Sequence, residues 1–589
     1  MYNKVKLFLL LLFLPLASSS IIQAQENLDS MWGDHTAVKN GLSSHLFDWG
    51  NYAMFIHWGL YSQVGNQWKG QTYYGASEWI MNKLMADIPL NEYKAIAKQF
   101  NPIEFDAEKI VKLAKDAGMK YIIITAKHHD GFAMYNSKAC DFNIVKQTPF
   151  GRDPMKELAD ACHRQGLGFG FYYSHNKDWT YPGGNGGPEY DENGVRKTFD
   201  DYFNEKCWPQ VEELTKNYGD IELIWFDTPG GMPEKYAKKL VEVVHRNQPH
   251  ALVSGRVGYD MGDYRTLGDM EIPLENIEGR WESIDVTNDS WGYAWYDQNW
   301  KTPKQILSSL ISVVARGGTF MLNVGPDGKG NIPEQAQWSL RKAGEWLKIY
   351  PEVVYGAGPS PWKHAMPWGD VTTNNGKLYL AIYTWPANGK LYLPNFKGGI
   401  KDVQLLLGNQ KKKLKYSKQS DWLEISIPMP VPNSLVSVIE LTPLSSDVSI
   451  DSTLAVDPLL GLQASVKFAK VENGKMSSKR WMEKFGEWKT DYIVSNWTDS
   501  TVVSWTTDVK DSGMYQVGLR YAAGQRVVWK VSLDGESNIQ NQQGGTNSFL
   551  TYPIGWIKID KPGRHRISVQ ALGGNLQSVQ LSSFSIVPI

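Results

Sequence analysis

From about Asn27 to Tyr355, short apolar runs alternate with stretches whose apolar positions recur every three or four residues. The runs fall at 54–58, 121–125, 167–173, 221–226, 251–253 and 319–324, and each reads as a strand covered on both faces. The stretches between them carry helix punctuation. Asp106 can cap a helix with the stripe Ile110, Leu113, Ala114 and Ala117, closed by Gly118. Asp153 can cap a second, with Pro154 in its first turn and Gly166 past its end, and Thr302–Pro303 opens a third that runs to Gly317–Gly318. Repeated strand–helix units predict an α/β fold whose parallel sheet closes into a (β/α)8-like barrel of TIM type, irregular or with fewer than eight repeats. An open doubly wound sheet is the alternative, but no glycine-rich phosphate loop follows the early strands to support it.

The pattern changes near Gly356. Strand-like runs then follow one another, with an Asn388–Gly389 turn among them, and predict a β-sandwich over 356–442. The Ser-, Asp- and Thr-rich segment 443–457 reads as a linker, and 458–589 as a second all-β, jelly-roll-like domain. Its tryptophans (Trp481, Trp488, Trp497, Trp505, Trp529 and Trp556) fit either a carbohydrate-binding module or the core of a spacer. At the other end, Lys4 and Lys6 precede the apolar run 7–17 and then small residues, which reads as a signal peptide over 1–24 and predicts an exported protein, periplasmic or secreted. No other stretch approaches 18 apolar residues, so no membrane insertion is expected.

Composition narrows the function. A formal charge of −1, from 61 basic and 62 acidic side chains, gives no electrostatic reason to expect a nucleic-acid partner. Three scattered cysteines make neither a disulfide framework nor a thiolate metal site. The 24 Trp and 29 Tyr offer apolar faces with polar edges, which suit a polyhydroxylated ligand.

Candidate chemistry gathers where apolar runs end, which in a β/α barrel is the active-site rim. His57, the series Lys127-His128-His129-Asp130, Tyr172 to His175, Asp227 and Arg256 all sit there. Asp227 follows a strongly apolar run, and an ionised carboxylate there must be exposed or hydrogen-bonded. It reads either as a helix N-cap or as a nucleophile aimed into a sugar pocket. A nucleophile of this kind needs a second carboxyl as proton donor, and Asp263, Asp269, Glu271, Glu275, Glu278 and Glu282 are available. No cofactor is expected, and no metal: adjacent side chains on a strand point to opposite faces, which keeps His128 and His129 from ligating one ion.

His57-Trp58-Gly59, Glu78-Trp79, Lys127 to Phe132, Phe169 to Ser174, Trp225-Phe226-Asp227, Trp281-Glu282 and Asn323 to Pro326 occur in that order. As a set, over roughly residues 28–442, they resemble glycoside hydrolase family 29, the retaining α-L-fucosidases. The resemblance implies Asp227 as nucleophile and His57, Glu78, Trp79, His128, His129, Tyr172, Trp225 and Arg256 as sugar-holding residues. The spacing that several members share places the acid/base on Asp269, with Glu271 and Glu282 as alternatives. It implies fucosylated oligosaccharides or glycoconjugates as substrates, exo-acting hydrolysis through a fucosyl-enzyme, and carboxyls about 5–5.5 Å apart. Two other readings stay open at this point, a sister enzyme on α-L-galactosides and an inactive protein that binds fucosylated glycans.

Overall fold

The computed structural model describes Leu46 and residues 52–589, except 446–447, 485–486 and 574. The signal-peptide reading at 1–24 and the start of the barrel reading at 27 lie outside the described residues. Eight parallel strands make one sheet: β1 (Tyr52–Ile56), β2 (Tyr121–Lys127), β3 (Gly168–Tyr173), β4 (Leu223–Phe226), β5 (Leu252–Val253), β6 (Arg265–Asp269), β7 (Trp281–Val286) and β8 (Thr319–Val324). Their spatial order is their chain order, and β1 pairs with both β2 and β8. A parallel bridge from Ser254 to Tyr264 and a 2.8 Å bond from the Asp263 N–H to the Val253 carbonyl join β5 to β6. The ring is therefore closed. An order that never reverses has no switch point, so the doubly wound alternative falls.

Strand alternation sorts the side chains. Ala53, Phe55, Tyr121, Ile123, Tyr172, Trp225, Ile284 and Met321 fill the barrel interior, while Met54, Ile56, Ile122 and Ile124 point outward into the helix layer. Helices α1 (Ala107–Asp116), α2 (Pro154–Gln165), α3 (Trp208–Asn217), α4 (Glu234–Asn247), α5 (Pro303–Ala315) and α6 (Glu334–Ile349) form that layer. The side chains of Asp106, Asp153 and Thr302 accept from the backbone N–H three residues on, and Gly166 ends α2 in the left-handed conformation at φ 68°.

Two strands, β6 and β7, carry no apolar run long enough to mark them in the sequence. Among the described residues, no α-helix follows β5 or β6, where Gly255, Gly258, Gly262, Gly268 and Pro273 break any helical run. There a strand of the C-terminal unit, Glu487–Ser495, packs against β6 instead.

Beyond the barrel, a five-stranded and a three-stranded sheet enclose Trp362, Trp368, Leu380 and Ile439. Two six-stranded sheets then enclose Trp497, Trp505, Tyr521 and Trp529. The segment read as a linker is itself paired. Ser449–Ile450 joins Phe396–Lys397 of the first unit, and Leu454–Val456 lies beside Val502–Val509 of the second. Among the described residues, no helix is long and apolar enough to cross a membrane.

Candidate active site

A cavity of about 260 Å³ opens over the C-terminal ends of the barrel strands. Ten of the residues singled out in the sequence line it: His57, Glu78, Trp79, His128, His129, Tyr172, Trp225, Asp227, Arg256 and Asp269. His57, His128, His129, Asp227 and Arg256 follow the ends of barrel strands and Asp269 closes one, whereas Glu78 and Trp79 come from the turn Ser77–Trp79.

Asp227 directly follows β4. The Tyr172 hydroxyl donates to its Oδ2 at 2.8 Å, and Arg256 Nη1 donates to its Oδ1 at 3.3 Å. It caps no helix, since α4 begins at Glu234, behind Pro233. The next residue, Thr228, is held in the left-handed region at φ 52°, a costly conformation for a β-branched residue, and the Asn176 amide donates to its carbonyl at 3.2 Å. Met270, just after Asp269, shares this conformation at φ 59°.

Arg256 links the two acids. Its Nη2 donates to Asp269 Oδ1 at 2.5 Å and to the Leu267 carbonyl at 2.9 Å, and its guanidinium carbon lies 4.8 Å from the Trp225 ring centroid. One buried, planar fork thus holds Asp227 and Asp269 on adjacent nitrogens.

The other two acid/base alternatives are not in the cavity. Glu271 turns back, its Oε2 accepting from the Gly268 N–H at 3.0 Å. Glu282 points into the barrel one layer beneath Ile284 and is fully buried, accepting from Trp225 Nε1 at 2.7 Å and from the Tyr264 hydroxyl at 3.3 Å. Burial pushes its carboxyl up to about 7, against the pull of those donors and of Arg256. It props the Trp225 ring from below. Asp263 bonds the Val253 N–H and His245, Glu275 pairs with Lys467, and neither they nor Glu278 line the cavity.

The histidines correct the geometry expected of them. His128 and His129 lie past the end of β2, where strand alternation no longer applies, and their rings are 4.2 Å apart on the same cavity wall. With Asp227 they present ligand atoms within 4.8 Å of one another, so the ground on which joint ligation was set aside does not hold. Among the described residues these three are the set that could hold a cation, although the fixed charge of Arg256 on the same carboxylate opposes one.

The protonation states follow from burial and partners. Burial lowers His128 and His129 well below the ordinary range and His57 to about 4, so all three are neutral at pH 7. Asn323 Nδ2 donates to the Trp291 carbonyl at 2.7 Å, which turns its Oδ1 toward His57 Nδ1, 2.8 Å away. His57 Nδ1 therefore carries the proton, and its Nε2 is an acceptor. The Ser174 hydroxyl donates to the Lys177 carbonyl at 3.0 Å and so accepts from His129 Nδ1 at 2.6 Å. This leaves His129 Nε2 as a second acceptor, 3.6 Å from Asp227 Oδ2, a gap suited to a donating hydroxyl. Glu78 is buried in the same wall, accepts from the Gly292 N–H at 3.0 Å, and is pushed by burial up to about 7. Trp79 stands edge-on to His129 with ring centroids 5.2 Å apart.

Two other strand-end residues turn out to be structural. His175 contacts the Val257 carbonyl at 3.3 Å, and Asp130 accepts from the Tyr93 hydroxyl at 2.6 Å. Beneath them, Asp178 takes Lys127 at 3.1 Å and Lys206 at 2.7 Å in a fully buried triad. Burial raises the Asp178 carboxyl, but the two ammonium groups together outweigh it and hold it at about 2.

Eight lining residues were not singled out for the site: Phe55, Leu84, Lys177, Thr228, Ile284, Trp291, Met482 and Trp488. Phe55 and Ile284 are inward strand positions that the period-two rule could have flagged. Met482 and Trp488 come from the C-terminal unit, and no local signal ties them to this rim.

The profile of the α-L-fucosidase family matches residues 17–352, and that of a domain of unknown function matches 484–585. The chain is 27% identical to the α-L-fucosidase of Dictyostelium discoideum over 419 residues, which is 65% of this chain and 88% of that one. It is 28% identical to the tissue α-L-fucosidase of Homo sapiens over 458 residues, 73% of this chain and 94% of that one. Among solved structures, the α-L-fucosidase of Vibrio sp. strain EJY3 superposes with a TM-score of 0.77 at 28% identity, covering 94% of this chain and 99% of that chain. Isoenzyme 1 of Paenibacillus thiaminolyticus gives 0.61 at 31%, covering 68% and 99%. The chain thus belongs to the α-L-fucosidase family, glycoside hydrolase family 29, and is a glycoside hydrolase of that kind.

Proposed function

We propose that this enzyme is an exo-acting, retaining α-L-fucosidase that removes terminal fucose from oligosaccharides or glycoconjugates by double displacement. The observation that carries the reading is the pair Asp227 and Asp269, shared by one Arg256 guanidinium at the rim of a single cavity. Two carboxylates joined this closely can work on one glycosidic bond. In the first step an Asp227 oxygen bonds to the anomeric carbon as the bond to the leaving oxygen breaks, and Asp269, protonated once the sugar displaces Arg256 from it, gives that oxygen its proton. The leaving sugar enters where Arg256 now touches Asp269. In the second step Asp269 takes a proton from water, the water oxygen bonds to the anomeric carbon, and Asp227 departs.

The acceptor nitrogens of His57 and His129 and the carboxyl of Glu78 suit sugar hydroxyls. Phe55, Ile284 and Trp291 offer the apolar surface that a C5 methyl group requires. The floor of the barrel below is filled by buried Trp225, Tyr264 and Glu282, which favours a terminal sugar over an internal one. We also propose export through the 1–24 leader, which N-terminal sequencing of the mature protein tests.

Proton NMR of the first sugar released from an α-L-fucoside tests the mechanism. α-Fucose is expected, and β-fucose as first product refutes double displacement.

A further inference from the structure

Met482 and Trp488 lie directly opposite each other in the antiparallel hairpin formed by Lys475–Lys484 and Glu487–Ser495. Side chains paired this way share one face, and that face is turned into the cavity that holds Asp227 and Asp269. Their neighbours Trp481 and Lys489 are the adjacent opposed pair, so they point the other way and line a separate cleft of the C-terminal unit. The hairpin is therefore a wall with one side on the catalytic cavity.

It is also fixed on a particular side of that cavity. The guanidinium carbon of Arg480 lies 4.4 Å from the Trp488 ring centroid. Its Nη2 sits against Gly268, 3.0 Å from where a β-carbon would stand, and Gly268 immediately precedes Asp269. Lys467 pairs with Glu275 at 3.2 Å, a second tie between the C-terminal unit and the loop after β6. The hairpin thus flanks the Asp269 strand, which among the described residues is followed by no barrel helix.

We propose that Trp488 and Met482 form the binding surface for the sugar that carries the fucose, a pyranose packing the C–H face of its ring on the indole. This rests on the reading of Asp269 as proton donor, because a proton donor lies beside the leaving group and the hairpin lies beside Asp269. The chemistry of the wall fits. The hydrogen-bonded groups of the cavity are buried, whereas Met482 is 41% exposed and Leu84, also on the cavity lining, is 61% exposed. Exposed apolar side chains at the mouth of a sugar site gain from covering by a ring with an apolar face. The C-terminal unit then acts in substrate selection as part of the site itself, not as a remote module.

The test compares Trp488→Ala with wild type on two substrates, a fucosyl-N-acetylglucosamine disaccharide that the wild type cleaves and α-L-fucosyl fluoride, whose leaving group is one atom. The kcat/KM for the disaccharide is expected to fall at least ~10-fold further than that for the fluoride, about 1.4 kcal/mol of lost contact. Trp488→Phe, which keeps a ring face, should recover most of it. Equal losses on both substrates, or no loss on the disaccharide, overturn the proposal. Met482→Ala supplies the same comparison should Trp488→Ala fail to fold.

Asp269→Asn separates this inference from the reading beneath it, because loss of a proton donor is also selective for the disaccharide. If Trp488→Ala is selective and Asp269→Asn is not, the sugar contact stands and the acid is elsewhere. If Asp269→Asn alone is selective, the sugar contact fails.

Discussion

Glu282→Gln separates a buried prop from a catalytic acid. Glu282 is fully buried, and burial carries its carboxyl from an ordinary value near 4.5 to about 7. The folded state therefore holds a proton that the unfolded chain gives up as pH rises above about 4.5. Stability from this group is complete below that value and is lost as pH rises through about 7. At about 1.4 kcal/mol per tenfold change in proton affinity, the loss between pH 5 and pH 8 is roughly 2–3 kcal/mol. Gln cannot ionise, yet its carbonyl can still accept from Trp225 Nε1, 2.7 Å from the present oxygen. The variant should match or trail wild type at pH 5 and overtake it by pH 8, a change in Tm difference of roughly 5 °C. Glu78, which burial also raises to about 7, is present in both proteins and cancels. Thermal unfolding at the two pH values reads the effect, and parallel changes in the two proteins refute it. Activity supplies the second arm. Removing a proton donor costs ~10²–10⁴-fold on substrates with poor leaving groups, and Glu282→Gln should lose far less than that on a disaccharide.

Three further outcomes follow from the same contacts. Tyr172→Phe removes the hydroxyl that donates to Asp227 at 2.8 Å, and kcat/KM should fall roughly 10–100-fold with little change in Tm. Asp178→Asn leaves Lys127 and Lys206 buried beside a neutral amide, which should cost about 3–5 kcal/mol by denaturant titration; a loss below about 1 kcal/mol would mean that the triad is hydrated. Thr228→Gly relieves a left-handed β-branched residue next to Asp227, so Tm should hold or rise while kcat falls; a marked drop in Tm would count against strain at this position.

Much of the rim was legible because barrel strands make one kind of statement repeatedly, an apolar run that stops at a polar residue. His57, Tyr172, Asp227 and Arg256 were found that way, and all four line the cavity. What failed for His128 and His129 was strand alternation as the ground for keeping them from one ion, since they stand one and two residues past the end of the strand; the same rule found both, and both line the cavity. It also promoted Asp130 and His175, since a buried hydrogen-bonded residue and a cavity residue look alike at a strand end. Strands β6 and β7 were missed for a physical reason. Thr266 and Glu282 stand where apolar side chains would mark the strands, and Tyr264 and Trp225 reach across to bond the buried Glu282. The choice among Asp269, Glu271 and Glu282 needed the third dimension, since only the fold shows which of the three faces the cavity.

Thr228 and Met270 show why that choice also has a backbone signature. Each directly follows one of the two cavity carboxylates, and each is a non-glycine residue in the left-handed region, at φ 52° and 59°. Glycine would remove the strain at either position, and the chain uses glycine freely elsewhere, 54 times. A side chain that costs of order 1–3 kcal/mol in this conformation persists only where surrounding contacts impose it. Here those contacts are the Asn176 amide on the Thr228 carbonyl at 3.2 Å and the 2.8 Å bond from the Met270 N–H to the Ile284 carbonyl. Both restraints act one residue beyond the acid, so each fixes the direction in which its carboxylate leaves the strand. Arg256 can then hold both acids at once without itself having to aim them.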